Sequence, residues 1–309
     1  MAVMRNLALA LASLTGVLAS PVPLADTTII TTTTADSRAV TPGNTSTALR
    51  SNDFSCRSSS HPSPVVLLHG LGASEQIDLN FLEVWLRARG FCTFALTYGS
   101  YAPYVPILGG LKPIAESSLE IASFVREVQA RTGAAKVDLV GHSEGGFQAL
   151  YTPKLGGLAA SDVGRVVAIA PPTHGTSFAG LYNLAYVFGS GSREAVGAVL
   201  RAVGCAACDD LGPDGGAVRR LSGDGRPIAQ PGQAVTVITS RADELVTPTR
   251  TSFVDEPGVH NIYVQDYCPL DPVGHIGEAV DVNVWNLVLN ALEDKTGRKF
   301  VCLAGPPGR

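Results

Sequence analysis

The chain has 309 residues, of which 16% are charged, and a formal net charge of −4 at pH 7. No basic or acidic block interrupts it, so nothing in it points to nucleic acid or to a strongly charged membrane surface. Its 45% apolar content suits one sizeable α/β domain of about 250 residues once a leader is set aside.

The chain begins with that leader. Arg5 gives a short positive start, Leu7 to Ala19 is apolar, and Val17-Leu18-Ala19 is a small-residue exit, so residues 1–19 read as a secretory signal. Residues 20–55 read as a flexible leader rich in Thr and Ser, a composition that runs on to about Ser60. Asn44-Thr45-Ser46 within it is a glycosylation sequon. No later stretch is apolar for long enough to form a transmembrane helix, and the reading is a secreted, extracellular protein.

From here strands and helices alternate. Pro64 to His69 is a continuous apolar strand, followed by the turn His69-Gly70-Leu71-Gly72. Leu79 to Arg89 carries Phe81, Leu82, Trp85 and Leu86 at helical spacing, with Asp78 in the place of an N-cap and Gly90 ending it. Phe91 to Tyr98 is the next strand, and Pro113 to Thr132 a long helix with Ile114, Ile121, Phe124, Val125 and Val128 on its buried stripe. Val137 to Val140 then leads into Gly141-His142-Ser143-Glu144-Gly145, which fits G-x-S-x-G. Such a turn carries a serine on a sharp bend between strand and helix, its hydroxyl free of the sheet. Arg165 to Ala170, Ala234 to Ser240 and Asn261 to Gln265 are further strands, and Glu278 to Glu293 is the closing helix. Apolar strands without alternation, separated by helices, imply a buried and mostly parallel sheet.

The chemistry falls on the loops after these strands. Ser143 is the candidate nucleophile. Asp243 is the candidate acid, with Glu244 beside it as the rival. The base comes last, and His275, between Gly274 and Gly277, is placed to reach over the sheet, with His260 as the outsider. His174 is read as supporting the site. In such a constellation the serine attacks a carbonyl carbon, the histidine moves its proton, and the carboxylate orients the imidazole. Backbone N–H groups of Leu71 and Glu144 are assigned to the oxyanion hole. No cofactor or metal is expected.

Six cysteines behind a signal sequence imply disulfides; fifteen connectivities are open to them, and the one expected links neighbouring segments, Cys56 with Cys92, Cys205 with Cys208, Cys268 with Cys302. Cys205 and Cys208 alone have the spacing of a metal or redox motif, but lack the companion ligands or the βαβ start that either needs. Residues 177–232 are an insertion. Phe178, Leu181, Leu184, Tyr186, Val187 and Phe188, then Val196, Val199, Leu200 and Val203, form two apolar segments that would wall an acyl pocket together with Tyr101 to Leu108, serve as a lid, or pack on the core. Gly215 to Gln233 reads as a surface loop.

His69-Gly70-Leu71-Gly72, Gly141 to Gly146, Pro171 to Thr176, Ala242 to Pro248 and Gly274-His275 together resemble the secreted class 2 lipases of fungi and actinobacteria, over about residues 56–302. The resemblance implies an α/β-hydrolase fold with a small helical cap, and cleavage of triacylglycerols or simpler carboxylic esters at an oil–water interface or in solution. A short-chain carboxylesterase, or an amidase or acyltransferase on the same triad, is the alternative. Glu144 departs from the pattern, since related enzymes often carry Gln or Met there.

Overall fold

The structure is a computed structural model that describes residues 51–101, 108–178 and 190–305. Six strands, β1 (Val65–Leu68), β2 (Thr93–Ala95), β3 (Val137–His142), β4 (Val163–Ile169), β5 (Ala234–Thr239) and β6 (His260–Tyr263), form one sheet in the order β2-β1-β3-β4-β5-β6. Every neighbouring pair is parallel, so the expected mostly parallel sheet is wholly parallel.

Period-two alternation sends each strand's side chains into two cores. Val66, Leu68, Leu139, Val166 and Val237 face one, with Ile121 and Val125 of α2 (Ile114–Thr132) and Phe147 and Leu150 of α3 (Glu144–Leu155). Val65, Leu67, Val140, Val167 and Ile238 face the other, with Leu82 and Leu86 of the helix Asn80–Arg87, here α1. That second face is completed by the closing helix, while α4 (Ser190–Ala202), α5 (Ala206–Asp210) and α6 (Gly216–Ser222) belong to the insertion, and α7 (Val264–Tyr267) follows β6. The closing helix, α8, runs Val282–Leu292 and packs Val284, Leu287 and Val288 against the sheet. Helices thus cover both faces, as an all-parallel sheet requires.

Several elements differ from expectation for local reasons. The second strand is short because Tyr98 donates its N–H to His69 Nε2 at 3.3 Å, while the Asn52 amide takes both the N–H and the carbonyl of Ala95. Asn52 and the core-packed Phe54 also show that the fold takes in chain ahead of Cys56. Asp78 does not cap α1. The N-cap is Leu79, and the Asp78 carboxylate points elsewhere. The closing helix begins later than Glu278, because Asp281 Oδ1 accepts from Asn283 N at 2.6 Å and Val284 N at 2.9 Å and so sets the helix start. Residues 261–265 do not continue as strand past Tyr263. The Asp266 carboxylate takes the Tyr263 N–H and begins α7. The stretch 215–233 is not all loop, since Ala217, Val218 and Leu221 bury one face of α6.

The three expected disulfides form, with Cα–Cα separations of 5.7, 5.3 and 5.6 Å, and no cysteine is left free. Among the described residues no helix is long and apolar enough to cross a membrane. The signal sequence, the sequon at Asn44 and the segment from Leu181 to Phe188 lie outside the described residues.

Candidate active site

The chain runs from β1 out to β2 and then returns to β3 on the other side of β1, so the strand order reverses between β1 and β3. A crevice opens at the carboxyl ends of parallel strands at such a switch. Gly70-Leu71 leaves β1 on one side of it, and Ser143 leaves β3 on the other.

Ser143 sits at φ 56°, ψ −120°, immediately before α3. The bend is possible because glycine flanks it. A Cβ on Gly145 would stand 2.0 Å from the Leu68 carbonyl oxygen, and one on Gly141 2.0 Å from that of Gly145. Only bare backbone lets α3 approach the sheet this closely.

His275 reaches back from the loop after α7. Its Nε2 is 2.8 Å from Ser143 Oγ, and its Nδ1 is 2.8 Å from Asp243 Oδ2. Asp243 follows β5 and is fixed in turn, its Oδ1 accepting from the N–H groups of Leu245 and Val246 at 2.8 and 2.9 Å. The structure therefore brings Ser143, His275 and Asp243 into one hydrogen-bonded line, with the imidazole and carboxylate buried. Glu244 does not face the imidazole ring. Its Oε2 accepts the His275 backbone N–H at 3.3 Å. His260 begins β6 and is exposed. His174, read as a support, is exposed as well and binds the Thr251 carbonyl through Nδ1 at 3.0 Å, away from the crevice.

Leu71 and Glu144 lie on the two sides of Ser143. The Gly70 N–H goes to Asp78 Oδ2 at 2.6 Å and the Gly72 N–H to the Gly109 carbonyl at 3.0 Å. No described partner takes the Leu71 N–H between them. Glu144 opens α3, where a first-turn N–H has no partner within the helix. Its side chain is fully buried, and neither carboxyl oxygen makes a hydrogen bond of good geometry among the described residues, with the Gln148 side chain near enough only to offset part of the cost of its charge. Burial first, and then the Asp210 carboxylate, push the Glu144 carboxyl well above the ordinary range.

The crevice holds a cavity of about 240 Å³. Leu71, Ala73, Pro172, Phe178, Leu211, Leu245, Val246 and Ile276 give it an apolar lining around Ser143 and His275. Of the insertion's described apolar residues, Phe178 and Leu211 reach this wall. Val196, Val199 and Val203 do not line it and are 36%, 60% and 63% exposed.

Two groups near the site went unread in the sequence. Glu278, three residues after His275, is wholly buried, with Oε1 accepting the Ser240 N–H at 3.1 Å. Burial and then the nearby Asp243 raise its carboxyl well above the usual range, which favours the neutral form. Donor atoms of Asp243, His275 and Glu278 lie within 4.8 Å of one another, the one such grouping among the described residues that could hold a metal ion. Two of the three are already joined by a hydrogen bond, so the geometry suits proton handling. The second group is Asp78 and His142, whose contact is 3.0 Å from Nδ1 to Oδ1.

Comparisons with known proteins agree with this architecture. The chain is 32% identical over 120 residues to the triacylglycerol lipase of Pseudarthrobacter phenanthrenivorans, a stretch that is 38% of this chain and 35% of that lipase. The triacylglycerol lipase of Burkholderia plantarii is 32% identical over 120 residues, 38% of this chain and 31% of its own length. The chain thus aligns with about a third of each of these relatives. Among solved structures, Aspergillus fumigatus lipase B matches 79% of this chain and 54% of its own with a TM-score of 0.56 at 18% identity, a likeness of fold. Residues 65–299 match the alpha/beta hydrolase family, from the first residue of β1 to beyond the end of α8. By that span the chain belongs to the alpha/beta hydrolase family.

Proposed function

We propose that this protein is a secreted serine hydrolase that cleaves carboxylic esters of lipids. The observation that carries the reading is the line from Ser143 Oγ through His275 to Asp243, with both contacts at 2.8 Å, opening into an apolar cavity. Ser143 Oγ attacks the ester carbonyl carbon while His275 Nε2 takes its proton. The carbonyl oxygen gains the charge and is held by the N–H groups of Leu71 and Glu144. His275 then protonates the leaving alcohol oxygen, and an acyl-Ser143 remains. Water attacks that acyl group, gives one proton to His275, and releases the carboxylic acid as the proton returns to Ser143 Oγ. Asp243 holds the Nδ1–H tautomer and stabilises the imidazolium. No cofactor enters these steps.

The apolar lining and the triacylglycerol lipases among the relatives support a lipid ester over a polar one. Secretion is supported by the signal-like residues 1–19 and by three disulfides.

A serine-reactive phosphonate should label wild type once and leave Ser143→Ala unlabelled, with ester hydrolysis abolished in that variant. Turnover by Ser143→Ala near the wild-type rate refutes the assignment. Rates on p-nitrophenyl esters of increasing chain length, and on tributyrin through its solubility limit, place the enzyme between lipase and short-chain esterase. A rate jump at the limit indicates a moving cap, and failure on every long-chain glyceride moves the reading to carboxylesterase.

A further inference from the structure

The steps above leave one buried polar pair unused. Asp78 lies on the turn between β1 and α1, and His142 is the last residue of β3, directly before Ser143. Their side chains are 10% and 3% exposed. His142 Nδ1 is 3.0 and 3.1 Å from the two Asp78 oxygens, and its Nε2 is 3.0 Å from the His275 backbone carbonyl. Asp78 Oδ2 also accepts the Gly70 N–H at 2.6 Å.

These contacts suit protons on both ring nitrogens of His142. A carbonyl oxygen only accepts, so His142 Nε2 carries a hydrogen. The Asp78 oxygens, one of which already takes the Gly70 N–H, are placed to accept from Nδ1 as well. Both ring nitrogens donate, and the pair is imidazolium and carboxylate. Its electrostatics agree. Burial works to lower the His142 pKa, but Asp78 raises it above its ordinary value. Burial works to raise that of Asp78, but His142 and the Gly70 N–H hold it below.

The pair thereby joins two loops that must agree in position. One end is Gly70, next to the Leu71 N–H. The other is the main chain of His275. Ser143 stands between them, and the rings of His142 and His275 have centroids 5.0 Å apart. A buried ion pair adds little net stability over a well-packed apolar replacement. What it supplies here is a fixed distance between the oxyanion turn and the base.

We propose that Asp78 and His142, at the wall of the same cavity, are positioning residues, an ion pair that clamps the Leu71 turn to the His275 loop beside the nucleophile. The proposal rests on the roles of Ser143, His275 and Leu71 given above. It is tested with p-nitrophenyl butyrate on purified variants, with thermal melting in parallel. Asp78→Ala should lower kcat about 100-fold, the scale of a lost oxyanion donor, with KM within about threefold of wild type. Asp78→Asn, whose amide can still accept from Gly70 and donate to His142, should recover kcat to within about tenfold of wild type. The double variant Asp78→Ala, His142→Gln should be no more than about threefold slower than Asp78→Ala, because both changes break the same linkage.

A kcat for Asp78→Ala within about threefold of wild type overturns the proposal, as does Asp78→Asn being as slow as Asp78→Ala, or costs that multiply in the double variant. Should Asp78→Ala not fold, His142→Gln decides in its place. It keeps a donor toward the His275 carbonyl and loses the one toward Asp78, and must show the same fall in kcat at unchanged KM. Ser143→Ala, assayed alongside, separates the two levels. Turnover there overturns the nucleophile assignment, whereas an inactive Ser143→Ala with an unaffected Asp78→Ala overturns the clamp alone.

Discussion

Asp243 and Glu244 are adjacent carboxylates with different contacts. Asp243 meets the imidazole, and Glu244 meets only a backbone N–H. Asp243→Asn and His275→Ala should each lower kcat by about 10⁴ in ester hydrolysis, and Glu244→Gln far less. A severe Glu244→Gln would exchange their roles. Glu144 gives a prediction about stability. Its folded-state pKa is raised by burial, so the native state binds a proton more tightly than the unfolded chain. Stability must then fall as pH rises from the unfolded carboxyl value toward the raised one. Glu144→Gln, which keeps the shape and removes the titration, should match wild type in Tm near pH 4 and exceed it at pH 8. Equal melting at both pH values would show that Glu144 finds a compensating partner. The grouping of Ser143, Asp243 and His275 was legible because residues of those types stand in the loops that follow β3, β5 and β6. Glu278 was not, because a glutamate at the head of an apolar run looks like the first turn of a helix. Only its spacing of three from His275 hinted otherwise.

The turn from β3 into α3 is the element that most constrains the sequence. Its glycines are required by contact with backbone, which cannot step aside. Gly145→Ala would press a methyl group against the Leu68 carbonyl and should cost about 3 kcal/mol or prevent folding. Gly146→Ala meets its nearest atom, the Ile169 carbonyl oxygen, at 3.0 Å and should cost about 1 kcal/mol. Denaturant unfolding of the two variants tests that order. G-x-S-x-G alone is a weak signal in a chain with 33 glycines, and the turn was legible because an apolar strand precedes it and a helix-forming run follows. Element ends were less so. Asp78 stood where a cap belongs, yet α1 starts without a side-chain cap and the aspartate is spent on a contact from a distant strand. Local pattern does not see a partner 64 residues away. The short α6 was missed because its flanking Gly and Pro outweighed Ala217, Val218 and Leu221.

At the scale of the molecule, the disulfides close loops of unequal size. Cys56–Cys92 spans 36 residues, so removing it by Cys56→Ser with Cys92→Ser should cost about 3–4 kcal/mol and lower Tm by about 10 °C. Cys205–Cys208 spans 3 and should contribute much less. Thiol titration of the denatured, unreduced protein should find none. The pairing was one of fifteen open to six cysteines, and it is the fold that brings each pair's segments together. The insertion was the least readable part. Its apolar spacing in α4 suggested a wall, but Val199 and Val203 face outward among the described residues. Periodicity reports that a helix has an apolar side without saying what that side meets.

The main chain at Ser143 has a wider consequence. At φ 56° and ψ −120° a residue with a side chain is held against its own preference, by about 1–3 kcal/mol, and glycine is not. Ser143→Gly should therefore melt above Ser143→Ala, while neither turns over ester. A lineage released from its chemistry would drift toward glycine at this position and grow more robust as it did so. If Ser143 is the nucleophile proposed above, durability and usefulness pull the sequence in opposite directions at this one position.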